Sequence, residues 1–457
     1  MAGWNFSRDA PHSQWLHLGL SDGLSTMTPI SRRDWLRLAG SSAFAALAPA
    51  AFAADSTKPA SSLPPVRAIT RGPGFHWFAY YDKFQFDPTD RYVLGQQVSF
   101  EHRLPEPNDV INVGMVDLHD HDRWIELGQS RAWCWQQGCM LQWRPGFDHE
   151  VLWNDRDGDR YVCRILDTKT RRLRTIPAPV YAVSPDGRTA LSVDFGRIFW
   201  MRPGYGYNGV PDRHQHEPAP ADSGIFSVDL ETGKTELLMS LAQVAAGAGQ
   251  PPDGTVFWHK FIHLLYSPDG KRFIALHRFR PTVPHEPTKP KGGFNTRLLT
   301  AAVDGTDIRE VNGPPMTSHF IWRDPEHILA WANARGHDKS GMFVFRDEHQ
   351  TRDITQIGTG QITRDGHCTY VPNADNQWML SDTYPDKQGR QNPHLLHIPS
   401  NKVIPLGHFN SPREYRGEWR CDLHPRNSRN GRMVVIDSPH GGNGRQMYLI
   451  DISKIVG

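Results

Sequence analysis

The sequence predicts an all-β protein, a seven-bladed β-propeller. Its 457 residues hold 40 glycines, 36 prolines and 15 tryptophans, a composition that suits many short strands joined by tight turns. One turn phrase returns along most of the chain, and each return is followed by a short apolar strand. With 38% hydrophobic and 22% charged residues the chain has the apolar mass for a large core, so neither disorder nor a coiled coil describes it.

The N-terminal region reads as a targeting segment. Ser31-Arg32-Arg33-Asp34-Trp35-Leu36 is a twin-arginine pattern with Trp where Phe is usual. The alanine-rich apolar run from Leu38 to Ala53 is shorter than the roughly 20 residues a membrane span needs, and it ends on Ala51-Phe52-Ala53, a small-x-small cleavage site. Residues 1–53 are therefore expected to be a leader, with Met27 as a candidate start, and 54–457 a single propeller domain. Such a leader predicts a periplasmic or secreted protein, exported already folded and often carrying a cofactor. The alternative is a chance arginine pair before an alanine-rich surface helix.

From about Phe75 the repeat can be followed blade by blade. Phe84-Gln85-Phe86-Asp87-Pro88 leads into Tyr92-Val93-Leu94, and Leu141-Gln142-Trp143-Arg144-Pro145-Gly146 into Val151-Leu152-Trp153. Ser184-Pro185-Asp186-Gly187 precedes Ala190-Leu191-Ser192-Val193, and Tyr266-Ser267-Pro268-Asp269-Gly270 precedes Phe273-Ile274-Ala275-Leu276. Trp322-Arg323-Asp324-Pro325, Tyr370-Val371-Pro372 and His424-Pro425 with Gly431 introduce the last three strands. Each copy reads as a hairpin whose Pro fixes φ and whose Gly supplies φ > 0. One such hairpin cannot bury both faces, whereas radial packing of several does. About 58 residues fall to each blade against the roughly 40–45 of a minimal one. The surplus lies in loops around 201–222 and 280–297, which are expected to build a binding face.

Formal charge is +2 with no block of like charge, which argues against a nucleic-acid partner. There is no Gly-x-Ser-x-Gly elbow, phosphate loop or dinucleotide fingerprint. Five cysteines, Cys134, Cys139, Cys163, Cys368 and Cys421, are an odd number and argue against a disulfide framework, so at least one is free, metal-bound or paired between chains. Cys134 and Cys139 lie near enough for a local bridge, or they are two buried thiols.

The strings that stand out are aromatic, basic and imidazole: Phe75 to Lys83, Phe100-Glu101-His102-Arg103, Trp133 to Gly138, and Arg202-Pro203-Gly204-Tyr205-Gly206-Tyr207. Tyr181 opens the third blade, and Arg197 lies at the far end of what reads as its paired strand, where a hairpin can return it to the same blade edge. In these features the chain resembles the seven-bladed propeller polysaccharide lyases, the ulvan lyases and rhamnose–glucuronate lyases, and more distantly oligogalacturonate lyase. The resemblance implies β-elimination next to a uronate in an acidic polysaccharide or oligosaccharide. It assigns catalysis to Tyr181, Arg197 and His102, with His76, Gln137, Arg202 and Tyr205 expected to line the substrate. Where the second blade of those enzymes supplies a further histidine, this sequence reads Gln136-Gln137.

The residue types suit that chemistry. The uronate carboxylate must be neutralised, a task for the bidentate fork of Arg197. A base must take the C5 proton, and a guanidinium near Tyr181 would favour its phenolate. The competing structural reading makes Tyr181 a capped core aromatic and Arg197 a blade-edge ion-pair residue. Two further function classes stay open, a propeller that binds glycans without turnover, which the Gln136-Gln137 departure favours, and a glycoside hydrolase.

A metal site is expected on separate grounds. Three residues before the aromatic of successive turn phrases stand His263, His319 and His367, and the same count before His424 gives Cys421. Equivalent inner-strand positions reach one level of the channel, so these four are expected to converge on a divalent ion. Three imidazoles with one thiolate form a tetrahedral zinc set. The competing reading is four histidine or cysteine side chains that pack between blades.

Overall fold

The recurring turns close hairpins in the way their residue types require. At Ser267-Pro268-Asp269-Gly270 the Ser267 hydroxyl donates to Asp269 at 2.7 Å, the Ser267 N–H bonds Arg272 O at 2.8 Å, and Gly270 takes φ 70°. Ser184 to Gly187 repeats the device, with the hydroxyl donating to Asp186 at 2.6 Å and Gly187 at φ 70°. The strands that follow are runs of Val, Ile, Leu and Phe buried on both faces, as strands between stacked sheets must be.

The computed structural model describes residues 63–249, 256–283, 286–290 and 293–457. Residues Ser61–Gly457 form one unit, and the expected leader at 1–53 lies outside the described residues. The chain is a seven-bladed β-propeller of antiparallel sheets. Blade 1 runs Phe75–Trp77, Tyr92–Val98, Ile111–Asp117, Arg123–Ser130; blade 2, Gln142–Trp143, Glu150–Asp157, Arg160–Asp167, Leu173–Ile176; blade 3, Ala182–Val183, Thr189–Ser192, Gly224–Asp229, Thr235–Ser240. Blade 4 runs Phe257–Tyr266, Arg272–Val283, Asn295–Ala302, Arg309–Asn312; blade 5, Thr317–Asp324, His327–Ala332, Gly341–Arg346, Ile354–Ile357; blade 6, Thr369–Tyr370, Trp378–Ser381, His394–His397, Lys402–Pro405. Blade 7 takes Arg426–Asn427, Met433–Ser438 and Gln446–Asp451 from the C-terminal part, and Val66–Ala68 pairs with Gln446–Asp451 as its outer strand. First and last strands thereby close the ring.

The core lies between blades. Trp77, Trp133, Trp135, Trp143 and Trp153 are buried where blades 1 and 2 meet. Each large indole removes about 150–250 Å² from water, several kcal/mol at ~25 cal/mol per Å². All five cysteines are free and buried, so the Cys134–Cys139 bridge does not form and both are core thiols.

Two sequence expectations need correction. Arg197 does not end a strand: Asp194 caps a helix, Phe195–Met201, by accepting the Arg197 N–H at 2.9 Å, so the chain turns away from the blade there. The last turn phrase is also displaced. In blade 4 the residue whose N–H closes the turn is Ser267, and in blade 7 it is Ser428, which bonds Met433 O at 2.8 Å. The counterpart of Tyr266 is therefore Asn427, and the counterpart of His263 is His424 rather than Cys421. The true turn, Ser428-Arg429-Asn430-Gly431, has no proline, whereas His424-Pro425 lies upstream of the strand.

Candidate functional site

The inner-strand position four residues before the turn-closing N–H is His263, His367 and His424 in blades 4, 6 and 7, and His319 stands at the matching place in blade 5, three residues before Trp322. At His263 (φ 56°) and His424 (φ 42°) the backbone is left-handed, as it is at the matching Met140 of blade 2 (φ 56°). That conformation is uncommon for a residue with a Cβ and re-aims the side chain out of the strand. The rings of His319 and His367 lie 4.2 Å apart, as do those of His367 and His424.

His367, Asp422 and His424 bring one donor atom each to within 4.8 Å of one another, and all three are buried. His319 Nδ1 meets Asp365 at 2.8 Å, and His367 Nδ1 meets both oxygens of Asp382 at 3.0 Å. A carboxylate only accepts, so Nδ1 carries a proton in both rings and Nε2 is the atom left to offer a lone pair to a metal, as in metal-ligating histidines whose other ring nitrogen donates to a carboxylate. Asp422 Oδ1 is buried with no hydrogen-bond partner among the described residues, and Oδ2 faces Arg420 Nε at 2.8 Å. A buried carboxylate oxygen with no hydrogen-bond partner among the described residues, beside imidazole nitrogens, is a donor set that fits a divalent cation. His263, expected in this set, instead stacks on Tyr80 with centroids 4.9 Å apart. Cys421 is outside it: its thiol is pushed up by burial and stays protonated, and its carbonyl accepts Gln391 Nε2 at 3.1 Å. The set offers nitrogen and oxygen without sulfur, so the expected zinc thiolate site is not what is assembled.

Tyr80, from the loop after the first strand of blade 1, stands among these rings, 5.4 Å from His424 and 6.3 Å from His367. Beside it Tyr181 accepts from Gln137 Nε2 at 2.5 Å and from the His263 N–H at 2.8 Å, and Gln137 Nε2 also reaches His263 Nδ1 at 3.1 Å. Burial, then the charge of Asp82, pushes the Tyr181 phenol well above its usual range, so a phenolate base is not available. Burial, reinforced by the charges of Arg278, His319, Lys260 and Lys83, holds His263 well below 6.5, a neutral imidazole. Of the two, His263 has the free-base form at neutral pH.

Blade 4 carries a cluster of cations that sequence reasoning missed. Lys260 pairs across the sheet with Arg278, and Trp258 with Arg280. Lys260 is 1% exposed, and among the described residues its Nζ has no hydrogen-bond partner; the Nε atoms of Arg278 and Arg280 are likewise buried and without one there. Lys260 and Arg280 both lie over the Phe294 ring, at 4.5 and 4.6 Å. Burial, then Arg278, Arg202 and Arg280, drives the Lys260 pKa well below its ordinary value. Glu418, which faces Arg202, is the carboxylate whose charge reaches Lys260 and Arg280, and among the described residues none is ion-paired to Lys260, Arg278 or Arg280, so the cluster favours an anion brought from outside.

Loops from three blades join the two halves. Arg420, ion-paired to Asp422, donates to the Tyr205 hydroxyl at 2.6 Å; Arg202 stacks on Tyr205 at 4.4 Å and faces Glu418 at 3.5 Å. Gln136 Nε2 ties this segment down through Arg420 O at 3.0 Å. Gly204 is required by the fit, since a Cβ there would stand 2.2 Å from Glu418 Oε2. Gln137, Arg202 and Tyr205 thus belong to the cluster. Three other expected residues do not. All five N–H groups of Arg197 are spent, on His259 O, Asp212, His214 O, Glu217 O and Pro218 O at 2.6–3.2 Å, leaving none for a substrate. His76 has both nitrogens engaged, by Gln446 and Gln97 at 2.9 Å. His102 is exposed and packs edge-on against Tyr415, 4.8 Å away. One signal for the missed ligands was present: Asp422 and His424 are two residues apart, the spacing that puts side chains on one face of an extended chain.

No protein-family model matches the sequence, and no curated protein matches it. Among solved structures the fold is similar to oligogalacturonate lyase from Vibrio parahaemolyticus, at 13% identity over 87% of this chain and 96% of that one, with a TM-score of 0.58. It is also similar to an oligogalacturonate lyase in complex with manganese, at 15% identity over 86% and 94% of the two chains, with a TM-score of 0.59. At such identities the shared property is the propeller itself.

Proposed function

We propose that the protein is a divalent-metal-dependent lyase that cleaves a uronate-containing oligosaccharide by β-elimination. The observation that carries this reading is the pairing of two unlike sites joined by Arg420 and Tyr205: buried cations whose Nζ and Nε atoms have no hydrogen-bond partner among the described residues, and buried imidazole and carboxylate donors suited to a metal. The likeness in fold to an oligogalacturonate lyase that holds manganese supports it.

In the elimination the C5 proton leaves to a base, the C5–H electron pair becomes the C4=C5 double bond, and the C4–O4 bond breaks with O4 taking a proton. His263 is the neutral imidazole assigned as base; its Nδ1 lone pair, held by Gln137 Nε2 in the structure, takes the C5 proton once the substrate displaces that contact, and its backbone N–H is tied to Tyr181. Lys260 and Arg278 supply the charge that holds an acidic sugar, the task the sequence had suggested for Arg197. His367, Asp422 and His424, with His319 beside them, would hold the metal. When bound, the metal neutralises the uronate carboxylate and so acidifies the C5 proton. Tyr205 and Arg202 line the approach. In the same reading residues 1–53 act as a twin-arginine leader and the activity lies outside the cytoplasm; no helix among the described residues is long and apolar enough to cross a membrane.

The test is incubation of the purified protein with oligogalacturonates, ulvan and rhamnose–glucuronate oligosaccharides, with manganese or with a chelator. The expected result is a rise in ultraviolet absorbance from the unsaturated product, abolished by chelation and by His424→Ala. Binding without absorbance would make the propeller a glycan-binding module. New reducing ends without absorbance would make it a hydrolase.

A further inference from the structure

The cluster above lies toward the start of the inner strands. At their other end, where the hairpin turns gather, a cavity of about 730 Å³ opens between blades 1 to 5 and blade 7. That is within the range of roughly 300–1,000 Å³ typical of small-molecule sites. None of its lining residues belongs to the metal or cation clusters. Asp82 and Lys83, ion-paired at 2.8 Å and almost fully buried, line its inner side. Lys83 lies 5.4 Å over the Tyr181 ring, and Tyr181 in turn bonds His263, so these side chains separate the cavity from the site described above.

Aromatic side chains make much of its wall. Phe84 is 45% exposed, the guanidinium of Arg429 is stacked 3.5 Å above it, and Phe147 carries Arg144 at 3.7 Å. Tyr266 and Trp322 complete the wall. Arg144 is satisfied by Gly187 O, Glu150 and Glu231. Arg429 donates only Nε, to Phe86 O at 3.0 Å, and its terminal N–H groups have no partner among the described residues.

We infer that this cavity is a second carbohydrate site, taking an acidic oligosaccharide of disaccharide size. A pyranose has an apolar C–H face that stacks on aromatic rings and a polar rim of hydroxyls. The cavity offers both complements, rings on its walls and the Asp82–Lys83 pair within. A purely apolar ligand would cover that pair and leave its remaining hydrogen-bonding capacity unsatisfied, which is costly. A small inorganic anion would leave the four rings without function. Lys83 and Arg144 are held by carboxylates of their own and Asp148 also lines the cavity, so it is the N–H groups of Arg429, without a partner among the described residues, that select a carboxylate over a neutral sugar. This inference does not require the other site to be a lyase.

Calorimetric titration of chelator-treated protein with digalacturonate, and with cellobiose as the neutral control, tests it. Digalacturonate should fill two sites. Phe84→Ala should weaken one of them by about tenfold or more, since a stacking platform is lost. Arg429→Gln should erase the preference of that site for digalacturonate over cellobiose. Lys260→Met should remove only the other site, and product formation by metal-loaded Phe84→Ala should match wild type. Phe84 is exposed at a turn, so its replacement leaves the core intact. Identical titrations for wild type and Phe84→Ala would overturn the inference, as would no digalacturonate binding by Lys260→Met. Phe84-dependent binding of a fatty acid in place of sugar would overturn it too. Phe84-dependent sugar binding in a protein with no lyase activity would leave this site standing and end the proposed function instead.

Discussion

Lys260 is the residue at which function and stability pull apart. Its amine is buried beside Arg278 and Arg280 with no ion-pair partner among the described residues, so holding it in the fold costs either the repulsion of a third cation or the loss of its proton, a cost that a bound anion relieves. Lys260→Met should therefore raise the melting temperature by a few degrees while raising KM at least tenfold; scanning calorimetry and initial rates on the same preparation read both. Tyr181 is the opposite case. Its oxygen accepts from Gln137 and from the His263 N–H, and Tyr181→Phe leaves two buried donors unpaired at about 1–3 kcal/mol each. Its denaturation midpoint should fall, and the pH–rate profile should keep its shape because no phenolate takes part. The sequence pointed to Tyr181 by its place before a turn phrase, and the residue does sit beside the cluster. It pointed to Arg197 by its spacing from Tyr181 and the resemblance to the propeller lyases, and neither can show that Asp194 starts a helix there or that five acceptors in 212–218 and at His259 take every guanidinium N–H.

The strand-and-turn element was the most legible unit. Where Pro, Asp and Gly stand together, as at 185–187 and 268–270, residue chemistry and backbone conformation agree and the hairpin follows. Blade 7 was misread by three residues because its turn uses Ser428, Asn430 and Gly431 with no Pro, while a decoy His-Pro stood upstream. The ladder of N–H bonds, which sets the register, leaves no trace in composition. The cation pair Lys260 and Arg278 was illegible for a related reason: the residues are 18 apart and meet only through that register. A sharper dependence on local geometry lies in the segment Trp133 to Met140. Gly138 takes φ 57°, and a Cβ there would lie 2.2 Å from Gln96 Nε2, whose amide bridges Phe78 O and the Cys139 N–H. Gly138→Ala should cost at least about 1–2 kcal/mol from the left-handed backbone alone. By displacing the adjacent Gln137 it should also lower kcat, whereas Gly158→Ala, with the same sign of φ and open space around it, should cost stability and leave kcat unchanged. Urea denaturation and kinetics of the two variants provide the comparison.

At the scale of the whole molecule, the buried histidines set the response to acid. His76, His259, His263, His277, His319, His394, His424 and His440 are all held below 6.5, chiefly by burial; His367 is held above it, because Asp382, Asp422 and Asp365 outweigh a burial that acts the other way. A histidine depressed in the fold is neutral there while its unfolded counterpart takes a proton below about 6.5, so the stability it contributes is present above that pH and is lost as pH falls through the folded value. For His259, lowered to about 4, the loss across that window is about 3 kcal/mol. The melting temperature should drop steeply between pH 7 and 5, and a flat profile there would contradict the burial of these rings. Ring closure by Val66–Ala68 has another consequence, one in time. The Thr70 and Gln446 side chains that meet at this closure are 376 residues apart. A ribosome releases the first strand long before its partner exists, so six sheets can form during synthesis while the seventh waits for the end of translation. Until then the apolar flanks of blades 1 and 7 remain open to solvent, and a chain stalled before residue 446 is the species a chaperone would be needed to hold.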